Sequence, residues 1–110
     1  MLEPIFGNST AEKVLLYLLV NRDGYARELA QRFELPVSVV QKQLQRLERG
    51  GVLVSQTRGK TRLFQLNPVY PFVAELEALL RRALKFLPAA ERGPYQPRRT
   101  RPRASGKPSS

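Results

Sequence analysis

The sequence predicts an α+β fold for residues 1–87, in the order helix, short strand, helix, helix, two-stranded hairpin, helix, with a disordered basic tail over residues 88–110. Three observations carry this expectation. Apolar residues fall into helix-length stretches before residue 50 and after residue 71. Between residues 52 and 66 the pattern switches to β-rich alternation around Gly59. From Pro88 onward Pro, Arg, Gly and Ser dominate and no apolar period survives. A chain of 110 residues with 42% hydrophobic content is one domain's worth and suffices for a modest core.

Leu2, Ile5 and Phe6 are apolar anchors ahead of Gly7-Asn8, expected to form a lead-in that packs on the core. Ser9-Thr10-Ala11-Glu12 has the S-x-x-E form of a capping box, so a helix is expected to start there, the Ser hydroxyl and the Glu carboxylate each satisfying a backbone N–H. Residues 14–20 are apolar around the whole circumference, which requires cover on most sides from the domain itself or from a second subunit. Asn21-Arg22-Asp23-Gly24 reads as a turn in which Gly24 allows positive φ. Tyr25-Ala26 is expected to be a short strand, and residues 27–33 a two-turn helix with Leu29, Ala30 and Phe33 inward, too short to stand alone. Glu34-Leu35-Pro36 then joins this helix to the next. So short a link forces a tight angled pair, with Ala30 small at the crossing and Leu35 as a plug: a helix-turn-helix.

The helix over residues 37–49 organises the rest. At about 100° per residue, Val37, Val40, Leu44 and Leu47 form one narrow apolar stripe. The opposite side carries Ser38, Lys42, Gln45, Arg46 and Arg49, with Val39 and Gln41 at its margins and the single acid, Glu48, lying away. Hydroxyl, amide and cationic groups of this kind hydrogen-bond base edges and phosphates. An ordinary amphipathic surface helix would show the same pattern. Pro36 can start the helix without losing a needed N–H, and Gly50-Gly51 supplies the stop.

Residues 52–57 and 61–66 are β-rich runs separated by Arg58-Gly59-Lys60, a hairpin signal with Gly in the loop. Arg58, Lys60 and Arg62 make its tip cationic, with no acid between residues 49 and 74. Such a hairpin could lie along a nucleic-acid backbone, although edge hairpins also carry Lys and Arg to block aggregation. After the break at residues 67–71, a last helix over 72–87 spreads its apolar residues over an arc of about 160°, where a single core needs about 100°. The surplus predicts a self-complementary twofold contact through Leu76, Leu79, Leu80, Ala83, Leu84 and Leu87. A wide intramolecular face is the alternative. In the tail, Pro97-Arg98-Arg99-Thr100-Arg101-Pro102-Arg103 has the composition of a flexible arm on phosphates and equally of a solubilising segment.

The net charge is +10 and the isoelectric point near 10.9, which favours polyanionic partners. Residues 1–87 hold 13 Lys/Arg against 8 Asp/Glu and residues 88–110 hold 6 against 1, so each part is +5 and the folded part is basic in its own right. There is no Cys and no His, which removes disulfides and the usual zinc or copper ligands. The nine carboxylates form no obvious catalytic pair, and no phosphate loop or nucleophile motif appears, so neither enzymatic activity nor a cofactor is expected. The longest apolar run is the seven residues 14–20, far short of the roughly 20 that span a bilayer. With no signal sequence either, a cytoplasmic protein without membrane contact is expected.

This order of elements resembles the winged helix-turn-helix transcriptional regulators, in particular the ArsR-like group. The resemblance is carried by Tyr25-Ala26-Arg27-Glu28-Leu29-Ala30 for the supporting helix and by residues 37–47 for the reading helix. Leu47-Glu48-Arg49-Gly50-Gly51-Val52-Leu53-Val54 leads into the wing, and Gly59 with Leu63-Phe64-Gln65-Leu66 closes it; coverage is roughly residues 9–87. The resemblance implies a homodimeric, sequence-specific binder of double-stranded DNA, most simply a repressor, nucleoid-associated when bound. Ser38, Gln41 and Lys42 would enter the major groove, and Arg58, Lys60 and Arg62 would grip the flanking backbone. The full set expected at DNA is Ser38, Val39, Gln41, Lys42, Gln45, Arg46, Arg58, Lys60 and Arg62. The chain departs from the family in having Glu34 where Gly is common and Pro36 where Ser, Thr or Asp is common. It also lacks the thiolate and imidazole ligands of the metal-sensing members, so no metal is expected. A winged helix that docks on another protein, with only non-specific nucleic-acid affinity from its tail, is the alternative.

Overall fold

Because residues 14–20 have no polar side, the remaining elements are laid around them. In the computed structural model, which describes residues 1–97, the order is α1 (Glu3–Phe6), α2 (Ser9–Asn21), β1 (Gly24–Tyr25), α3 (Ala26–Phe33), α4 (Val37–Arg49), β2 (Leu53–Arg58), β3 (Thr61–Leu66) and α5 (Val73–Phe86). Two single-turn 3₁₀ helices, Ala89–Glu91 and Gly93–Tyr95, follow. Ala11 and the six residues from Val14 to Leu19 are buried on α2, which contacts α1, α3, α4, α5, β1 and β3. The sheet is antiparallel in the order β1-β3-β2, with Gly24 opposite Phe64 and Ser55 opposite the same residue from the other side. Among the described residues no helix is long and apolar enough to cross a membrane.

The start of α2 differs from the capping box expected at Ser9. Asn8 is the cap: its backbone is extended, and its side-chain Oδ1 accepts from the Ala11 N–H at 2.8 Å. Glu12 is thereby released to turn inward, where it is buried and accepts from the Leu2 N–H at 3.0 Å. The expected lead-in becomes the one-turn helix α1, ended by Gly7 at φ 97° and pinned by Leu2 in the core.

At the next turn the positive φ falls on Arg22, at 74°, and not on Gly24. Glycine is needed at 24 for a different reason. A Cβ there would stand 2.9 Å from Cε1 of Tyr17, a fully buried ring with nowhere to go. The strand is Gly24–Tyr25, and Ala26 already belongs to α3, whose N-terminus is closed by Glu28 accepting from the Tyr25 N–H at 3.0 Å.

Between α3 and α4 the left-handed position falls on Glu34, at φ 56°, with the Leu35 N–H donating to the Ala30 carbonyl at 2.9 Å. The helix ending that normally uses Gly is therefore made by a residue with a Cβ, at a local cost. Val40, Leu44 and Leu47 hold α4 on the core as expected, but Val37 is exposed, at the rim of a shallow hollow with Arg27, Ala30 and Gln31 of α3. In the hairpin, Arg58 pairs with Thr61, leaving the two-residue loop Gly59-Lys60 with Gly59 at φ 64°. Asn67 closes its base, donating from Nδ2 to the Gly51 carbonyl at 2.9 Å.

Beyond α5 the chain does not leave the domain at Pro88. Arg92 donates to the carbonyls of Leu87 (2.8 Å) and Lys85 (3.0 Å), capping α5, and Arg32 of α3 donates to the carbonyls of Pro94 (2.8 Å) and Gln96 (3.3 Å). Tyr95 lays its ring 5.4 Å from that of Phe33, which stands 6.2 Å from Tyr17. Residues 88–97 thus form a strap from α5 to α3 built from isolated aromatic and arginine contacts, which carry no apolar period for the sequence to show. The basic cluster Arg98, Arg99, Arg101 and Arg103 lies outside the described residues.

Two outcomes follow from these contacts. Gly24→Ala is expected to destabilise the domain by about 1–3 kcal/mol through overpacking against Tyr17, read from urea unfolding. Burial, reinforced by the carboxylates of Glu12 and Glu91, pushes the Tyr95 phenol above its ordinary value. The folded state therefore holds this proton more tightly than the unfolded chain, and stability should fall as pH rises past about 10. In Tyr95→Phe, unfolding midpoints between pH 9 and 11 should show a smaller fall.

Candidate nucleic-acid interface

With Val40, Leu44 and Leu47 turned into the core, helical geometry sends Ser38, Lys42, Gln45 and Arg49 to the opposite side. All of Ser38, Val39, Gln41, Lys42, Gln45 and Arg46 are exposed, and so are Arg58, Lys60 and Arg62 on the hairpin. The structure thus presents every side chain of the expected set on the surface. It does not leave them all equally free.

Arg46 donates from Nη2 to the Phe6 carbonyl at 3.0 Å and from Nε to Gln43 Oε1 at 2.9 Å, and Gln43 also accepts from Asn8 Nδ2 at 3.2 Å. These bonds moor α1 and the cap of α2 to one flank of α4. Arg46, expected at DNA, is thereby engaged within the domain. Arg62 donates from Nε to the Ser55 hydroxyl at 3.0 Å, and that hydroxyl donates to Glu48 Oε2 at 2.6 Å. The one acid of α4 is thus the terminus of a relay that ties the wing to the reading helix. Arg58 shares its guanidinium with Gln56 of its own strand at 3.3–3.4 Å. Among the described residues, Ser38, Gln41, Lys42, Gln45 and Lys60 make no hydrogen bond or ion pair.

Between wing and α4 lies a cleft of about 540 Å³ in which Arg27, Lys60 and Arg62 converge beside Gln41 and Gln45, over Phe64. Arg27 escaped the sequence reading. Its signal was its place in the first turn of the supporting helix, the end of a helix-turn-helix that crosses a nucleic-acid backbone. Glu28 lines the same cleft but spends its carboxylate on the Tyr25 N–H. Three cations and two amides in one groove suit a phosphate chain with adjacent base edges. Among the described residues no group of three or more His, Cys, Asp or Glu is arranged to hold a metal ion.

The residues expected at a subunit contact divide in two. Leu80, Ala83 and Leu87 are buried in the subunit's own core, since this edge of α5 packs on α2, whereas Leu76, Leu79 and Leu84 remain half-buried. Phe72 and Phe86, outside the expected set, are 61% and 64% exposed. At about 100° per residue, Phe72, Leu79 and Phe86 fall within about 40° of one another, along one edge of the buried face, whereas Leu76 falls between Ala83 and Leu87.

The relay predicts that Ser55→Ala will loosen the wing. Loss of the bridging hydroxyl should cost about 0.5–1.5 kcal/mol in urea unfolding and speed amide hydrogen exchange in residues 53–66 more than in α2.

No family model matches the chain, and no curated protein sequence matches it. Solved structures do. Reduced HlyU from Vibrio cholerae is 27% identical, with a TM-score of 0.61 over 74% of this chain and 83% of that one. Rv0081 from Mycobacterium tuberculosis is 31% identical, with a TM-score of 0.53 over 76% of this chain and 86% of that one. YusO from Bacillus subtilis, at 23% identity and a TM-score of 0.57 over 80% of this chain and 69% of that one, shares the fold. These likenesses coincide with a helix-turn-helix in α3 and α4 and a wing in β2 and β3, and the chain belongs to the winged helix-turn-helix transcriptional regulators, a non-enzymatic family.

Proposed function

We propose that the protein is an ArsR-like repressor that binds double-stranded DNA sequence-specifically as a homodimer, working in the cytoplasm at the nucleoid. The observation that carries the reading is the outward side of α4, where Ser38, Gln41, Lys42 and Gln45 are exposed and unengaged among the described residues, next to the cleft of Arg27, Lys60 and Arg62. In this reading α4 enters the major groove. Arg58, Lys60, Arg62 and Arg27 hold the flanking phosphates, and Arg46 acts chiefly as a strut for α1.

The dimer is supported by the exposed Phe72 and Phe86 with the half-buried Leu79 between them, an edge that a copy related by twofold symmetry would cover. Residues 1–97, with the strap of residues 88–97 included, form the DNA-binding domain with its dimerisation helix, and residues beyond Pro97 supply an additional basic arm. Two reading helices about 34 Å apart would select an inverted repeat, and occupancy of such a site blocks polymerase.

Binding measured by electrophoretic shift across salt concentrations tests this. With about four to six phosphate contacts per subunit, log K should fall with log salt at about −0.9 per contact. Lys60→Ala should weaken all sequences equally and make the slope shallower by about 1. Phe86→Glu should lower the mass in sedimentation to that of one chain and abolish the two-half-site preference. If random duplex competes as well as any selected sequence, the protein is instead an interaction module.

A further inference from the structure

The groups of α4 that are free to meet a base edge are fewer than its polar surface implies. Gln43 and Arg46 are committed to Asn8 and Phe6, and Glu48 to Ser55. What remains is a ridge of Ser38, Lys42, Gln45 and Arg49 with a single side chain on each flank. At 100° per residue, Gln41 and Val39 lie about 160° apart around the helix, on either side of that ridge. Gln41 borders the wing-side cleft with Gln45, and Val39, 38% exposed, lies within about 20° of Arg46, on the side where Arg46 reaches α1.

Resting on the DNA-binding reading, we infer that Gln41 and Gln45 each read an adenine through paired amide bonds while Val39 reads the 5-methyl group of a thymine, so that the half-site is selected for A·T pairs. The chemistry is specific on each side. A side-chain amide offers one donor and one acceptor, the complement of adenine N7 and N6–H in the major groove, and an exposed aliphatic group on a reading helix has the thymine methyl as its apolar partner. Neither glutamine has an internal partner among the described residues that would have to be broken first. Gln41 and Gln45 are four residues apart, about 6 Å along the helix axis, against about 3.4 Å per base step. The two adenines are therefore placed about two steps apart, next to the phosphates that Arg27, Lys60 and Arg62 would hold, with the thymine toward the α1 side.

The test begins with selection from a random duplex pool by the full chain. The enriched duplex is then remade with 7-deazaadenine for each adenine in turn, which deletes N7, and with deoxyuridine for each thymine, which deletes the methyl. Wild type should lose about 5- to 150-fold in affinity at two deazaadenine positions separated by one base pair, and Gln41→Ala and Gln45→Ala should each become indifferent at one of them. Deoxyuridine should cost wild type about fourfold at one position and Val39→Ala nothing there. All three positions are exposed, and circular dichroism would verify that the variants keep the fold. Enrichment of G·C half-sites, or variants that retain the full penalties of wild type, overturns the assignment while leaving DNA binding intact. If no duplex is enriched over the pool, the DNA-binding reading falls, and the assignment with it.

Discussion

Everything in this domain answers to the burial of α2. A helix with Val14, Leu15, Leu16, Leu18 and Leu19 on all its sides cannot be half-covered, since each side chain left in water forgoes about 1.5–3 kcal/mol of transfer free energy. Five elements besides the sheet hairpin are too short or too amphipathic to fold alone, and they gain stability by surrounding that helix. The direction in which α4 faces is a by-product of this demand. Its aliphatic stripe is pulled inward onto α2, and its amides and cations are left on the far side.

The same economy places the wing. Leu53 and Phe64 bring β2 and β3 into the core, and the hairpin extends alongside α4, with Ser55 at Glu48 and Lys60, Thr61 and Arg62 sharing a cleft with Gln41 and Gln45. Glu48, Ser55 and Arg62 then fix the angle between the two. In the sequence Glu48 is simply the acid that lies away from the cationic side of α4. In the fold it is the anchor that gives an otherwise exposed hairpin a defined stance.

The order of elements was legible because it rests on local signals: the apolar run of α2, the stripe Val40-Leu44-Leu47, the alternation about Gly59. The exposure of Ser38, Gln41, Lys42 and Gln45 was legible for the same reason. What escaped depended on contacts between distant residues. Nothing near Glu12 in sequence shows that it would serve Leu2, and nothing near Arg46 shows that it would reach Phe6. Arg27 joins the cleft only because the helix-turn-helix folds its end against β3. Likewise, the wide apolar arc of α5 was legible, but the division between Leu80 facing inward and Phe86 facing out depends on where α2 lies.

The strap of residues 88–97 also decides geography. Because Arg32 takes hold of the Pro94 and Gln96 carbonyls, the chain passes Pro97 beside the supporting helix of the helix-turn-helix, not beside the end of α5 where the last long helix stops. Ten residues that look like spacer in the sequence thus set where on the domain the described chain ends.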